Sequence, residues 1–383
     1  MILQPVRRQF LIILLTFLIG SLSYLSMDIF LPSLPAVHRA FETSTALTQL
    51  TVSLYVFGLA FSQLFYGYAT ERQGRRRVLS LGMSIYCLAS LLCMVAPNID
   101  LLLLGRLLQG CGAGAGALLS RVMVRDLYSG KKLSKTASHY NTAVTAFIML
   151  APVIGGFTQQ YFGFRMVFCL LLVLAALALI LLVFIEETLP LEKRQPKSFR
   201  QTVTIYGKLL GHPQFLSNTV CAGIAISALV SFLSFNTFLV QVNLGYSASN
   251  YGLVALVISA FEVLASIGNT LLLNYVSGRN LLATGTAVLA LSGLFLLFSL
   301  EWVSLSLVLL LVTGLIFSTG LSLIVSNASA NALAAFQSGF GPVAALYGFI
   351  QMSLTASSSF VVSRMAVNDP KHLSALLMML GSL

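Results

Sequence analysis

The sequence predicts an all-α membrane protein, two six-helix transmembrane bundles around a central cavity, and three observations predict it. Apolar windows long enough to cross a bilayer recur from Phe10 to Phe360 with short breaks, and a span needs about 20 apolar residues. Charged residues make up only 9% of the 383 residues, against 57% hydrophobic; soluble domains carry roughly 25%. Lipid rather than water must therefore solvate most of the surface. The third observation is where the basic residues fall.

With the N-terminus taken as cytoplasmic, 16 of the 22 basic residues sit on the cytoplasmic side: Arg7 and Arg8, the run Arg72 to Arg77, Arg125 to Lys135, Lys193 to Lys208, and Arg279. The opposite side holds Arg39, Arg165, Arg364 and Lys371, while Arg106 and Arg121 lie inside a span. This asymmetry is the positive-inside signature of a multi-pass protein. The net charge of +11 is thus an orientation signal, and no nucleic-acid partner is expected.

The predicted spans are 10–31, 46–67, 78–96, 100–124, 136–160, 164–186, 215–241, 250–272, 281–299, 302–328 and 341–363. A twelfth apolar stretch starts near Leu373 and is too short to cross; it reads as a truncated helix. The longest polar break, Glu186 to Pro213, separates an N-terminal bundle (1–190) from a C-terminal one (214–383) through a cytoplasmic linker (191–213). Paired six-helix halves suit a transporter with its site at mid-membrane between them. The five cysteines all lie in apolar runs without metal-ligand spacing, so they read as small core residues. His38, His139, His212 and His372 lie at span ends or in loops and form no metal or catalytic set. With no nucleotide loop either, ATP-driven transport and hydrolysis are not expected: the chain reads as no enzyme, with no cofactor.

Five segments together resemble the major facilitator superfamily and, within it, drug/proton antiporters of the bicyclomycin-resistance (Bcr/CflA) type. They are Asp28-Ile29-Phe30-Leu31-Pro32-Ser33-Leu34-Pro35 closing span 1, and Gly67-Tyr68-Ala69-Thr70-Glu71-Arg72-Gln73-Gly74-Arg75-Arg76 between spans 2 and 3. Gly105-Arg106-Leu107-Leu108-Gln109-Gly110 in span 4 continues into Arg121 to Leu127. Ala151-Pro152-Val153-Ile154-Gly155-Gly156 in span 5 and Glu187-Thr188-Leu189-Pro190 after span 6 complete the set. Glu71 stands where the family has Asp, and Ala151 where it has Gly. The resemblance covers the N-terminal half; the C-terminal half matches in hydropathy and order. It implies a monomeric inner-membrane exporter with protons as the coupling ion and multidrug efflux or antibiotic resistance as its role.

Asp28 and Glu262 lie deep within spans, where a charge costs roughly 2.5–3.5 kcal/mol on insertion scales. Asp28 reads as the proton-coupling carboxylate and Arg106, at similar depth, as the group that tunes it. A nearby guanidinium favours the carboxylate and apolar burial the neutral acid, so a changing separation binds and releases a proton. The competing reading is a static ion pair joining helices. Glu262 reads as a second proton site, a cation-binding group, or a protonated acid hydrogen-bonded between helices. Substrate-cavity candidates follow helical spacing: Ser21 and Tyr24 on the Asp28 face, Ser266 and Asn269 on the Glu262 face, and Tyr347, Gln351 and Thr355 on span 11. Phe235 and Asn236, with Phe232 and Phe238, offer aromatic surface with one amide; ordinary packing is the alternative for each.

The helix 5 motif, Pro152 with Gly155 and Gly156, lacks one backbone donor and thins the helix, predicting a bend or a tight contact; proton sealing is what the resemblance adds. A cytoplasmic gate is expected at Gly67, Glu71, Arg72, Gly74, Arg76 and Asp126. There Gly74 permits a tight turn, Glu71 meets the start of helix 11 (signalled by Ser338, Gly339 and Pro342), and Arg72 or Arg76 pairs with Asp126. Basic residues merely holding a loop inside would look the same. Export of an endogenous anion such as a siderophore or polycarboxylate, with Arg106 and Arg121 as its ligands, stays open beside drug export. So does a non-transporting receptor or scaffold.

Overall fold

The computed structural model describes residues 5–128, 136, 140, 143–189, 192, 194, 199–334, 336 and 340–382. Every long element among the described residues is a helix, which satisfies its own backbone groups where no water can. The long helices are α1 (Pro5–Asp28), α2 (Thr45–Gln73), α3 (Arg75–Val95), α4 (Ile99–Leu127), α5 (Ala151–Phe162, with helical residues 143–149 before it) and α6 (Phe164–Val183). The second set is α7 (Pro213–Phe238), α8 (Ala248–Leu272), α9 (Gly278–Trp302), α10 (Leu307–Ala334), α11 (Phe340–Ser363) and α12 (Pro370–Ser382). Eleven of the described helices are long and apolar enough to cross a membrane, the number expected; α12 is shorter and packs along α9.

Local chemistry explains the boundaries. Pro32 and Pro35 end α1 in a 3-10 turn, Leu31–Ser33, and a short helix, Leu34–Ala40. Ser44, Asn98, Ser247 and Ser277 cap the next helices through side-chain oxygens. Gly74, at φ 94°, turns α2 directly into α3. The tenth span begins later than predicted. Glu301 and Trp302 close α9, and the Ser306 hydroxyl accepts from Leu309 N at 3.3 Å to start α10.

Two bundles result. In the first, α4 packs against α1, α2 and α3, and α6 packs on α3; in the second, α10 packs against α7, α8 and α9. Two seams join the bundles, α2 against α11 and α5 against α8. The α2–α3 turn, with its arginines, marks what is called here the basic end. The amphipathic helix Phe199–Leu210 lies against this end, its Tyr206 hydroxyl donating to Leu64 O at 3.4 Å.

Candidate functional site

A cavity of about 280 Å³ lies between the bundles. Tyr24 and Asp28 from α1 and Tyr55 from α2 wall one side; Glu262 and Ser259 from α8 with Gln351 and Thr355 from α11 wall the other. Aliphatic side chains of α7, Ile226, Leu229, Val230 and Leu233, close it. A second cavity of about 550 Å³ adjoins it toward the basic end, between α5, α8 and α10, with Ser266, Thr270, Ser322 and Ser326 in its wall. Thr145, Met149, Glu262 and Val263 line both, so Glu262 stands at their junction.

Asp28 and Glu262 thus face one space from opposite bundles. Asp28 Oδ1 is buried with no hydrogen-bond partner among the described residues. The described lining of the first cavity contains these two carboxylates and no Lys, Arg or His. An unpartnered buried oxygen is costly unless a proton, a water or a ligand meets it, so the cavity offers a cation or a proton two acceptors.

Arg106 is not part of that lining. It is fully buried behind Tyr55, its guanidinium 4.2 Å from the centroid of the Tyr55 ring and 4.8 Å from that of Phe30. Nη1 donates to Gln109 Oε1 at 2.6 Å and Nε to Thr51 O at 3.4 Å, while Nη2 has no partner. Among the described residues Arg106 forms no ion pair. The static pair with Asp28 is therefore absent, because Tyr55 takes the guanidinium by cation–π contact. Tyr55 is itself pinned through its hydroxyl to Ser23 O at 2.5 Å. Arg121 donates to Ala117 O at 3.0 Å and to the Tyr24 hydroxyl at 3.1 Å.

The other predicted cavity residues divide. Tyr24, Gln351 and Thr355 line the first cavity and Ser266 the second. Ser21 is buried off the cavity. Asn269 accepts from Asn327 Nδ2 at 2.8 Å and so ties α8 to α10. The Tyr347 hydroxyl bonds Ser329 at 2.7 Å and receives Gln351 Nε2 at 3.4 Å. Phe235 and Asn236 belong to the packed face of α7, correcting the expectation of aromatic cavity surface. Asn236 Nδ2 donates to Phe232 O, and Phe232 stacks on Phe317 of α10 with centroids 4.5 Å apart. Tyr55, Ser259, Thr145 and Met149 were not anticipated; only Ser259, three residues before Glu262, carries a spacing signal.

At the basic end the arginine that pairs with Asp126 is Arg75, not Arg72 or Arg76. Arg75 Nε reaches Asp126 Oδ2 at 3.1 Å and Nη1 reaches Glu71 Oε1 at 3.0 Å. Gly74 resets the helical phase, so the first residue of α3 turns inward and is 4% exposed. Arg72 instead donates to the Tyr68 hydroxyl at 3.0 Å, and Arg76 to Val183 O at 3.3 Å. Glu187 Oε1 accepts from Arg75 N at 2.8 Å and fixes the turn. Glu71 does meet the start of α11: a Cβ on Gly341 would lie 2.6 Å from its Oε1. Ser338 and Gly339 lie outside the described residues. A Cβ on Gly67 would lie 2.6 Å from Ala345 Cβ, so no larger side chain fits the α2–α11 contact there.

On the opposite half, Pro152 is in the first turn of regular α5 after a break at Leu150. Gly155 lies against Ile29 O, Gly156 against Ala248 O, and a Cβ on Gly252 would lie 2.5 Å from Pro152 O. The Ser249 hydroxyl donates to Gln160 Oε1 beside them. The segment is thus both a break and a tight contact.

Comparison with known proteins agrees with this architecture. Residues 16–362 match the Major Facilitator Superfamily. The chain is 33% identical over 246 residues to YdgK of Bacillus subtilis, named as an uncharacterized MFS-type transporter, covering 63% of this chain and 61% of that relative. It is 26% identical over 304 residues to the multidrug resistance protein MdtL of Escherichia coli O81, covering 79% of this chain and 76% of MdtL. The partially occluded inward-open structure of the xylose transporter XylE from E. coli superposes with a TM-score of 0.75 at 13% identity, covering 98% and 97% of the two chains. A D-xylose–proton symporter does so at 0.75 and 16% identity, covering 98% and 95%. At these identities the structures speak for the fold alone. The chain belongs to the Major Facilitator Superfamily: it is a multi-pass membrane transporter and not an enzyme.

Proposed function

We propose that this transporter is a proton-coupled exporter of small amphipathic organic compounds, of the bicyclomycin-resistance (Bcr/CflA) drug-antiporter type. It works as a monomer in a bacterial inner membrane with its N-terminus inside, and alternating access moves residues 1–190 against 214–383 about the linker 191–213. One observation carries the reading: two carboxylates, one from each bundle, face a cavity between the bundles whose described lining holds no basic residue. Protons and substrate then compete for the same acceptors, which is the minimum that antiport requires. Asp28 is the coupling group and Glu262 the second acceptor. Arg106, one ring away, sets the field in which Asp28 titrates.

The same acid-only lining weighs against an anionic metabolite as the substrate. The similarity to MdtL supports drug export. The test is transport in proteoliposomes with an imposed pH gradient, using cationic, neutral and anionic compounds. Gradient-driven movement of cationic or neutral compounds is expected. Movement indifferent to the gradient removes antiport, and a preference for anionic chelators removes the substrate assignment.

A further inference from the structure

We propose that the outer side of α3 at the basic end is a headgroup site for an anionic phospholipid. A cavity of about 740 Å³ lies there, apart from the transport cavities. Three guanidinia, Arg76, Arg77 and Arg194, and the hydroxyls of Ser80 and Ser84 line it. The one carboxylate in the wall, Glu187, is already committed. Its Oε1 accepts from Arg75 N at 2.8 Å and Leu189 N at 3.0 Å; its Oε2 accepts from Arg76 N at 3.2 Å and lies 3.7 Å from Arg194. Arg77 is exposed and makes no hydrogen bond or ion pair among the described residues. Three positive groups against one engaged carboxylate, with hydroxyl donors at helical spacing below them, suit a phosphodiester.

The apolar surroundings specify a lipid rather than a free phosphate. Leu81, in the cavity wall, and Leu88 are 50% and 69% exposed on the same side of α3. Ile180, Val183 and Phe184 at the end of α6 are 56%, 67% and 60% exposed. The end of α6 is tied to the cavity wall where Arg76 Nη2 donates to Val183 O. A phosphate held by the arginines lets its acyl chains run down both strips into the bilayer. A diffusible anion gains nothing from them. The site is separate from the proposed export activity and stands or falls without it.

The experiment is native mass spectrometry of the full chain in detergent, titrated with phosphatidylglycerol, phosphatidylethanolamine or inorganic phosphate. Phosphatidylglycerol should be retained over phosphatidylethanolamine. The Arg77→Gln, Arg194→Gln double variant should weaken its retention about ten-fold, given the attraction of each basic residue for anionic lipid. Arg77→Gln alone, which breaks no contact, should show part of that loss. Lys208→Gln, exposed at the same end, should change retention less than about two-fold. An equal loss in Lys208→Gln would mean diffuse attraction, and equal binding of the two lipids no anion site. Displacement by inorganic phosphate would mean a site for the free anion. Each of these outcomes overturns the proposal.

Discussion

The two seams between the bundles are built from the same materials and end differently. Along α2–α11, contact is continuous: Ser53 to Ser359 at 2.8 Å between hydroxyls, Phe61 edge-on to Phe349 at 5.2 Å, Gln63 over Gly348, Gly67 on Ala345, and Glu71 at Gly341. From Ser53 to Glu71 that is ~27 Å of helix. Along α5–α8, glycines bring the backbones together, Gly156 against Ala248 and Gly252 against Pro152. Beyond it the helices part around Glu262 and the second cavity. A continuous close-packed seam resists opening at any one point, because each small-residue contact depends on its neighbours. An interrupted seam already has a wall of polar side chains where the other has packing. The second cavity therefore borders Glu262 at the α5–α8 seam, whereas α2–α11 is packed from Ser53 to Glu71.

The largest expected effect lies in the space both seams enclose. Asp28→Asn keeps shape and removes the titrating group, so gradient-driven transport should fall about a hundred-fold or more, as for an essential membrane carboxylate. Thermal unfolding should stay near wild type, because Asp28 Oδ1 has no partner to lose. Retained uphill transport by this variant would end its assignment as the coupling group. Glu262→Gln should cost less, because it leaves Asp28 in place, and should shift the pH profile of transport. An unchanged profile would remove Glu262 from the coupling.

Overfilling the seams separates their roles. Gly67→Leu must displace Ala345 in the continuous seam, and overpacking costs about 1–3 kcal/mol. A lowered melting temperature and a cysteine probe at the basic end that labels faster are expected. Gly252→Leu meets the backbone of Pro152 and Val153. It should open the opposite end and leave labelling at the basic end unchanged. If both variants open the same end, the seams are not distinct.

The sequence shows some of these features and hides others for physical reasons. The span count was legible because lipid leaves the chain few alternatives to apolar helices. Asp28 and Glu262 stood out because carboxylates are expensive there, and the structure sets both on one cavity. The aromatic side of α7 misled. Side-chain type suggested a binding surface at Phe235 and Asn236, but helical phase presents Ile226, Leu229, Val230 and Leu233 to the cavity. Tyr55 gave no warning, since a tyrosine inside an apolar run looks like packing until its ring is found between Arg106 and the cavity. Arg75 was hidden among Arg72, Arg75, Arg76 and Arg77: which of four arginines turns inward depends on the φ of Gly74, and that is a tertiary fact.

Those arginines provide the smallest prediction. Arg75→Ala leaves Glu71 and Asp126 facing one another without the shared cation. Breaking a fully buried pair costs about 3–5 kcal/mol, but these carboxylates are 24% and 18% exposed. Water screens part of the repulsion, so a loss of about 1–2 kcal/mol is expected. Arg72→Ala, whose partner among the described residues is the Tyr68 hydroxyl, should stay within about 0.5 kcal/mol. Thermal unfolding of the two variants side by side measures both. Adding Asp126→Asn to Arg75→Ala removes one of the opposed charges and should recover part of the loss. A non-additive recovery would show that the network works by balancing charge, and no recovery would mean that Arg75 acts only by filling space beneath Gly74. If Arg72→Ala proves the more damaging single change, the Arg75 pairing does not hold this end of the α2–α11 seam.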